Sequence, residues 1–442
     1  MPKKSTKLQK LASSVNEMIE DMEKDSEFDM LFFKIMSDKL TGLTDERQQT
    51  KVKHQMSDII GIVFFAVLSD IDEWYEMEMF AIDHRDTLKQ YLSLENGIPS
   101  HDTLERVFAI IKEEELQEIL VQVLKDMVMK ATKEMDEPLY TNEELGIEIS
   151  DIIAIDGKET RNSGKKYSIT EEDRRNLNEL NVQSTEYGIT LSSTRIDEKS
   201  NEIPEAQKVL RTLDLRKCVV TADALNTQKD TVAAIVDDAH ADYCLALKAN
   251  QRNAYTDIVE YFNEDTLKEL KKVPYTYREE KEITSERSVT REMYISEDIR
   301  WFEDRSKWKK LKSIGYEKKT IVNLRDNKET VETRYYLCSL KADVELFSIV
   351  IRRHWHVENL LHWVLDVTFK EDALRMKEKT AMHNLGLVRR FVLSILKVLK
   401  EYYGNISYRY MRRRICRTFE KQVPIILSVL KLLYDNEAES KS

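Results

Sequence analysis

The chain has 442 residues, of which 41% are hydrophobic and 34% charged, and its formal net charge is -11. This length is enough for two or three domains, and the small numbers of glycine (10) and proline (6) favour long regular elements. No stretch of eighteen uninterrupted apolar residues occurs and the N-terminal segment lacks the apolar core of a secretory signal, so we expect a cytoplasmic protein without a membrane partner.

Positive charge is concentrated in one part of the chain. Residues 389–421 contain ten Lys or Arg and two Glu, a local excess of eight. Local patches govern binding to phosphates, so the negative total does not exclude a nucleic-acid partner. The four cysteines lie far apart with no CxxC pair, which argues against a disulfide scaffold and against a structural zinc ribbon.

The first third of the chain is predicted to be helical. Residues 1–28 are polar, and we expect them to be disordered or loosely helical. A helical domain is predicted over 29–135, because 58–68 is an apolar run of helix length and 113–135 has apolar residues at helical spacing. The acidic stretch 136–150 is predicted to be a linker.

After residue 150 the pattern becomes that of an α/β domain, predicted over 151–403. Two short apolar runs each stop at an acid, Ile155 before Asp156 and Ala222 before Asp223, as buried strands do at a functional edge. The other predicted elements are a hairpin at 181–197, a helix at 228–238, a strand at 243–248, a β-rich insertion at about 274–340, helices at 344–367 and 382–403, and a basic helical tail at 404–442.

Asp156 and Asp223 are candidate metal ligands. Ligands gather at strand ends in α/β sheets, and two carboxylates brought together there repel each other unless a cation lies between them. Hard oxygen ligands with open water positions suit Mg²⁺ or Mn²⁺. A strand-end Asp is also a common turn residue, so each Asp taken alone leaves a structural role open.

A third acid lies in the predicted helix 344–367. His354, Glu358 and His362 recur every four residues and should share one face of that helix. An interfacial hydrogen-bonded histidine explains His354 or His362 equally well. A zinc protease site is not indicated, since no HExxH motif occurs.

Several blocks of sequence resemble the H-repeat-associated insertion-sequence transposases, which belong to the DDE superfamily. The longest block is residues 353–372, RHWHVENLLHWVLDVTFKED. The other blocks, in chain order, are KVKH at 51–54, GIPSHDT at 97–103, AIDGK at 154–158, DEKSNEI at 197–203, TADA at 221–224 and ALKANQ at 246–251. The resemblance extends from about residue 30 to 395.

The resemblance implies an α/β fold with an RNase H-like catalytic core, a β-rich insertion before the third acid, and a transposase-associated helical N-terminal domain. It implies Asp156, Asp223 and Glu358 as the catalytic acids and as ligands of Mg²⁺ or Mn²⁺. Residues 200–202 are expected to support the site indirectly. The chemistry would be nicking of insertion-sequence ends and joining of the freed 3′-OH to target DNA by two-metal phosphoryl transfer.

The chain departs from patterns found in related transposases. The Tyr, Arg and Lys of a signature around the catalytic Glu are replaced by Ile351, His354 and Leu365. In the insertion, residues 285–291 keep only part of the usual HGRIETR block, namely Arg287, Thr290 and Arg291. The residues that replace the missing basic helpers must therefore lie elsewhere.

Contacts with DNA are predicted for polar residues near the strand ends, around Glu358 and in the basic tail, with solvated surface charge as the alternative. These residues are Lys158, Arg161, Lys248, Asn250, Gln251, Arg353, His354, His362, Arg412, Arg413 and Arg414. The expected partners are DNA ends and target DNA, bound by a homo-oligomer at the nucleoid. The alternative functions are an inactive or domesticated DNA-binding protein and a metal-dependent nuclease that does not join strands.

Overall fold

The computed structural model describes residues 31–131, 138–164, 174–196, 201–373, 376, 378–404 and 406–435. The prediction for residues 1–28 lies outside these ranges. In the described part of the chain, no helix is both long and apolar enough to cross a membrane.

The predicted N-terminal helices are present. They are α1 (Leu31–Leu40), α2 (Met56–Leu68), α3 (Trp74–Asp83), α4 (Arg85–Leu88), α5 (His101–Phe108) and α6 (Glu113–Ala131). These helices pack together with the C-terminal helices described below, and we call this assembly the helical body. Every residue of α2 is buried in it, because this helix is apolar on nearly all sides. Helix α6 instead buries one face, with Leu116, Leu120 and Val123 in the same core.

The acidic stretch predicted as a linker contains packed structure. Strands β1 (Tyr140–Asn142) and β2 (Ile147–Ile149) pair as an antiparallel hairpin. Ile147 and Ile149 alternate inward with the strand period and are buried. The Tyr140 hydroxyl donates to Asp343 Oδ2 at 2.6 Å. The many acidic residues of this stretch made its two inward-facing isoleucines hard to recognise in the sequence. The linker prediction is therefore wrong for 140–149.

A nine-stranded mixed sheet forms the centre of the molecule, in the order β5-β4-β3-β6-β7-β11-β10-β9-β8. Strands β3, β6 and β7 are parallel to one another, and all other neighbours are antiparallel. The strands are β3 (Asp151–Thr160), β4 (Leu177–Ser184), β5 (Thr190–Arg195), β6 (Cys218–Ala222), β7 (Asp242–Leu247), β8 (Tyr277–Ile283), β9 (Arg287–Ser296), β10 (Ser313–Asn323) and β11 (Glu329–Cys338).

The predicted β-rich insertion supplies β8 to β11. These strands do not form a sheet of their own, because β11 pairs with β7 over four residues and so extends the central sheet. The predicted mixed α/β architecture is confirmed, and the insertion is continuous with the strands that precede it.

Helices cover both faces of the sheet, as the alternation along β3 requires. Ile153 and Ile155 face one apolar cluster, and Ile152 faces the other. The first cluster contains residues of α7 (Glu202–Leu210), α8 (Lys229–Ala233), α9 (Arg252–Tyr261) and α10 (Glu264–Leu270). The second contains residues of α11 (Val344–Val357), which α12 (Trp363–Val367) follows.

The C-terminal helices complete the helical body. They are α13 (Lys379–Tyr403), α14 (Tyr408–Arg417) and α15 (Phe419–Asp435). The Phe419 ring lies 5.8 Å from Phe65 and 5.0 Å from Phe80, ring centroid to ring centroid. The segment predicted as a basic tail therefore packs on α2 and α3, because one face of it is apolar.

Arg412 was predicted to contact DNA, and the structure contradicts this. Its side chain is completely buried and its guanidinium nitrogens lie 3.1 Å from Asp70 and 3.0 Å from Asp72. The guanidinium also donates to the backbone carbonyls of Val67 and Thr368, each at 2.8 Å. Arg412 thus ties α14 to the end of α2 and to the segment after α12.

We predict that Arg412→Ala destabilises the fold, because it would leave Asp70 and Asp72 without their buried cation. The loss should be about 3–5 kcal/mol, measured by urea unfolding. The control is Arg417→Ala at an exposed position of the same helix, which should change stability by less than about 0.5 kcal/mol. Equal effects of the two variants would show that Arg412 does not anchor the helix.

Candidate active site

Asp156 and Asp223 lie side by side at one edge of the sheet. Strands β3 and β6 are parallel, with Ile155 paired to Ala222, so the next residue on each strand is an Asp. Side chains at the same register of adjacent parallel strands are neighbours. The strand register therefore supports the prediction that these two acids are neighbours, but β3 continues past Asp156 to Thr160, so only Asp223 follows the end of its strand.

Glu358 approaches the two aspartates from helix α11. The helix passes at Glu358 into a π turn, Glu358–His362, before continuing as α12. Such turns occur often at functional sites. Glu358 is exposed, and its charge is one of those that raise the pKa of Asp156.

The site is dominated by repulsion between negative charges. Burial raises the pKa of Asp156 to about 7, and the charges of Asp223, Glu202 and Glu358 add to the shift. Burial and Asp223 also raise the pKa of Glu202. Within the described ranges, no Lys or Arg forms a salt bridge with any of these four carboxylates, although the other buried charges discussed below are paired.

Three amides fix the loop after β6 that carries Asp223. The Asn226 backbone N–H and side-chain amide both donate to Asp223 Oδ1 at 3.2 Å. Asn250 donates to the Ala224 carbonyl at 2.6 Å, and Gln251 donates to the Thr227 carbonyl at 3.2 Å. Asn250 and Gln251, predicted as DNA contacts, thus also position the Asp223 loop.

His362 lies beneath Asp156 in a chain of hydrogen bonds. The Arg390 guanidinium donates to Asn181 Oδ1 at 2.9 Å, and the Asn181 amide donates to His362 Nε2 at 3.3 Å. This arrangement leaves the Nδ1 proton facing Asp156 Oδ2, 3.5 Å away. Burial lowers the pKa of His362 to about 3, so the ring next to Asp156 is neutral. His362 is buried, which corrects its prediction as a DNA contact.

Lys158 is likewise corrected. Its ammonium is buried 2.8 Å from Asp366 and 3.0 Å from Glu371. Glu371 also lies 3.5 Å from Arg390, whose guanidinium is 3.0 Å from Glu179. Burial alone would lower the pKa of Lys158, but Glu371 and Asp366 raise it. This ionic cluster joins β3 and β4 to α13 and to the segment after α12.

Of the remaining residues predicted to contact DNA, some are buried and others are exposed. Arg353 is mostly buried and lies 2.6 Å from Glu186. Burial lowers the pKa of His354 to about 4, and its Nδ1 is buried, so this ring is neutral and turned inward. The residues that remain exposed are Arg161, Lys248, Asn250, Arg413 and Arg414.

Sequence reasoning gave Glu202 only an indirect role and missed Asn181, Asn226 and Arg390. Glu202 is the first residue of α7 and its carboxyl reaches the main chain of Gly157. A signal for Glu202 existed, since Asn201 is a strong N-cap residue that predicts a helix start there. Arg390 lies within an apolar helix more than 200 residues after its partners Glu179 and Asn181, and no local pattern links them.

The residues present fit a divalent cation in donor chemistry and in charge. Carboxylate oxygens are the ligands that Mg²⁺ and Mn²⁺ prefer, and four unneutralised acids favour a cation strongly. Within the described ranges, no group of three or more Asp, Glu, His or Cys side chains is already arranged around one metal position. A cation would therefore have to draw these side chains together against the repulsion that now separates them.

Two protein families match this sequence. A family described as transposase DDE domain matches residues 148–395, and one described as DDE_Tnp_1-associated matches residues 37–123. Both matches follow the order of the helical body and the sheet.

Individual relatives are bacterial. The chain is 32% identical to the candidate transposase YncI of Escherichia coli O157:H7, over 84% of this chain and 89% of that protein. It is 30% identical to the H repeat-associated candidate transposase YhhI of Escherichia coli K12, over 87% of this chain and 96% of that protein. A shorter relative, the inactive transposase YbfQ of Escherichia coli K12, is 49% identical over 14% of this chain and 75% of that protein.

A solved structure, the piggyBac transposase synaptic complex with hairpin DNA, aligns with 94% of this chain and 87% of its own. The sequence identity is 11% and the TM-score is 0.36, too low to support an argument.

We predict that Asp156→Asn stabilises the metal-free protein at high pH. Because the pKa of this carboxyl is about 7 in the folded protein against an ordinary 3.8, folding takes up a proton. The contribution of Asp156 to stability therefore falls as the pH rises from 4 to 8. Thermal melts in EDTA should show the variant a few degrees above the wild type at pH 8, with the difference shrinking towards pH 4.

The control for this experiment is Asp230→Asn, at an exposed position of α8. It should show no gain that depends on pH in this way. A variant of Asp156 that is less stable than the wild type at every pH would mean that the carboxylate has favourable partners in the fold.

Proposed function

The chain belongs to the DDE transposase family, with H repeat-associated relatives, and we propose that it nicks insertion-sequence ends and joins the freed 3′-OH to target DNA. The observation that carries this proposal is the pair Asp156 and Asp223 on adjacent parallel strands, with the charge of Glu358 acting on Asp156 and no Lys or Arg of the described ranges in a salt bridge with these acids. We assign β5-β4-β3-β6-β7 to the RNase H-like core that the sequence resembles.

Both proposed steps are in-line displacements at phosphorus. In the first, water attacks, the P–O3′ bond at the element end breaks, and a 3′-OH is released. In the second, this 3′-OH attacks a target phosphodiester, and the target P–O3′ bond breaks. Asp156, Asp223 and Glu358 would hold divalent cations, which activate the attacking oxygen and stabilise the leaving oxygen when bound.

The chain's own residues prepare the carboxylates for this chemistry. The neutral His362 ring lies 3.5 Å from Asp156, and Asn226 donates a hydrogen bond to Asp223 and fixes its orientation. Neither group adds positive charge, so both acids remain available to a cation. Positioning of this kind matters because small displacements of reacting groups cost large factors in rate.

DNA would be held by the exposed predicted residues. Arg161 follows the end of β3 and Lys248 follows the end of β7, and both side chains are exposed. These basic side chains would contact phosphates of the bound DNA. Arg413 and Arg414 would contact DNA at a more distant surface. Two ends must be brought together for transposition, so a homo-oligomer on DNA is part of the proposal.

We predict that Asp223→Asn and Glu358→Gln each lower cleavage and joining by roughly a thousandfold, because each removes a metal ligand worth several kcal/mol. DNA binding should persist in both variants. The assay uses the element's own terminal repeats with Mg²⁺ or Mn²⁺, and it measures nicking, joining and retention of labelled DNA separately.

Matched controls are Asp230→Asn and Glu345→Gln, which change the same groups at exposed positions. The wild-type results distinguish three functions: nicking with joining supports the transposase, nicking alone a nuclease, and binding alone an inactive DNA-binding protein. Undiminished strand transfer by Asp223→Asn or Glu358→Gln would refute the assignment of the site.

A further inference from the structure

Glu202 lies beside Gly157 and shares the Asn226 amide with Asp223, although it is not one of the three family acids. It is the first residue of α7, and the Asn201 side chain caps that helix by accepting from the Ile203 N–H at 3.0 Å. A carboxylate in the first turn of a helix is favoured by the helix dipole. Helix geometry alone would place this charge near solvent, so its inward direction needs another explanation.

Gly157 provides the space that Glu202 occupies. Gly157 follows Asp156 on β3, and a Cβ built at this position would lie 2.6 Å from Glu202 Cδ. Any other residue would force the carboxyl away from Asp156. The backbone of Gly157 has no positive φ among those recorded for the chain's glycines. Packing against Glu202, and not a special backbone conformation, therefore accounts for the glycine.

Asn226 links Glu202 to the second aspartate. Its side-chain amide donates to Glu202 Oε2 at 3.5 Å and to Asp223 Oδ1 at 3.2 Å. Asn226 is completely buried, and its carbonyl oxygen has no hydrogen-bond partner among the described residues. The amide is thus turned to give its donors to the two acids, which it holds as neighbours in spite of their charge.

A structural role does not explain a charged group at this position. Glu202 is partly buried, and Asp223, with which it shares the Asn226 amide, carries the same charge. A glutamine of the same shape could fill the same space without repelling Asp156 and Asp223. An ionisable group in such a position is expected where a cation compensates it.

We propose that Glu202 is a fourth carboxylate of the catalytic centre, binding the divalent cation together with Asp156 and Asp223. The inference rests on the proposed function and adds a ligand to the three acids of the family. Gly157 then serves as the residue that admits this ligand, and Asn226 as the residue that positions it.

A double-mutant cycle on Gly157 and Glu202 tests the proposal. Mn²⁺ affinity is measured without DNA, by electron paramagnetic resonance of free Mn²⁺, for Gly157→Ala, Glu202→Ala and the double variant. Each single variant should lose affinity by roughly tenfold, as loss of a supporting or direct ligand does. The double variant should be no weaker than Glu202→Ala, because Gly157 only makes room for Glu202.

Two results would overturn the proposal. One is unchanged Mn²⁺ affinity in Glu202→Ala, and the other is a further loss when Gly157→Ala is added to it. The isosteric Glu202→Gln guards against misfolding: in EDTA at pH 8 it should melt at or above the wild-type temperature while still losing Mn²⁺ affinity. A lower melting temperature for Glu202→Gln would indicate a structural role and also count against the proposal.

Glu205→Gln is the matched control, since it removes the same charge from the same helix at a position outside the cluster. It should bind Mn²⁺ as the wild type does. Failure of the fourth-ligand proposal can be distinguished from failure of the proposed function. If Asp223→Asn abolishes cleavage while the Glu202 variants keep full Mn²⁺ affinity, only the fourth ligand is refuted.

Discussion

Asp156, Asp223 and Glu202 lie near one another where β3, β6 and α7 converge, with Glu358 at the end of α11, and their mutual repulsion is the constraint around which this region is organised. The parallel register forces Asp156 and Asp223 together, and Gly157 admits Glu202 beside them. Burial and neighbouring acids raise the pKa values of Asp156 and Glu202, so the fold opposes the charge of these two groups. The free energy lost here must be recovered elsewhere in the fold or by binding of a cation.

In the described part of the chain, the charged residues around the site are paired with opposite charges, whereas the carboxylates of the site are not. Lys158 is paired with Asp366 and Glu371, and Arg390 with Glu179. These pairs bind β3 and β4 to α13, and α13 packs within the helical body built from both ends of the chain. Arg195 on β5 lies 3.0 Å from Glu113 at the start of α6, which joins that body to the sheet edge. Paired charges in the surrounding structure thus hold the unpaired carboxylates in place.

Local patterns in the sequence predicted most elements and the two aspartates. Apolar runs that stop at an acid gave β3 and β6, and the run 344–367 gave the helical segment that carries Glu358. The exposure of basic residues was not predictable, because Lys158 and Arg412 are buried by partners distant in sequence. The hairpin at 140–149 was missed since its two inward isoleucines are surrounded by acids. The role of Glu202 could not be predicted, because it depends on a contact with Gly157 that no local sequence spacing encodes.

The central claim is that this uncompensated cluster is a divalent-metal site, and a crystal structure with Mn²⁺ tests it most directly. Anomalous difference density should appear between Asp156 and Asp223, with their carboxylates drawn closer than in the metal-free protein. His362 should stay next to Asp156, because its ring is neutral and does not compete with the cation. Mn²⁺ density only at other surface acids, with the cluster unchanged, would contradict the claim.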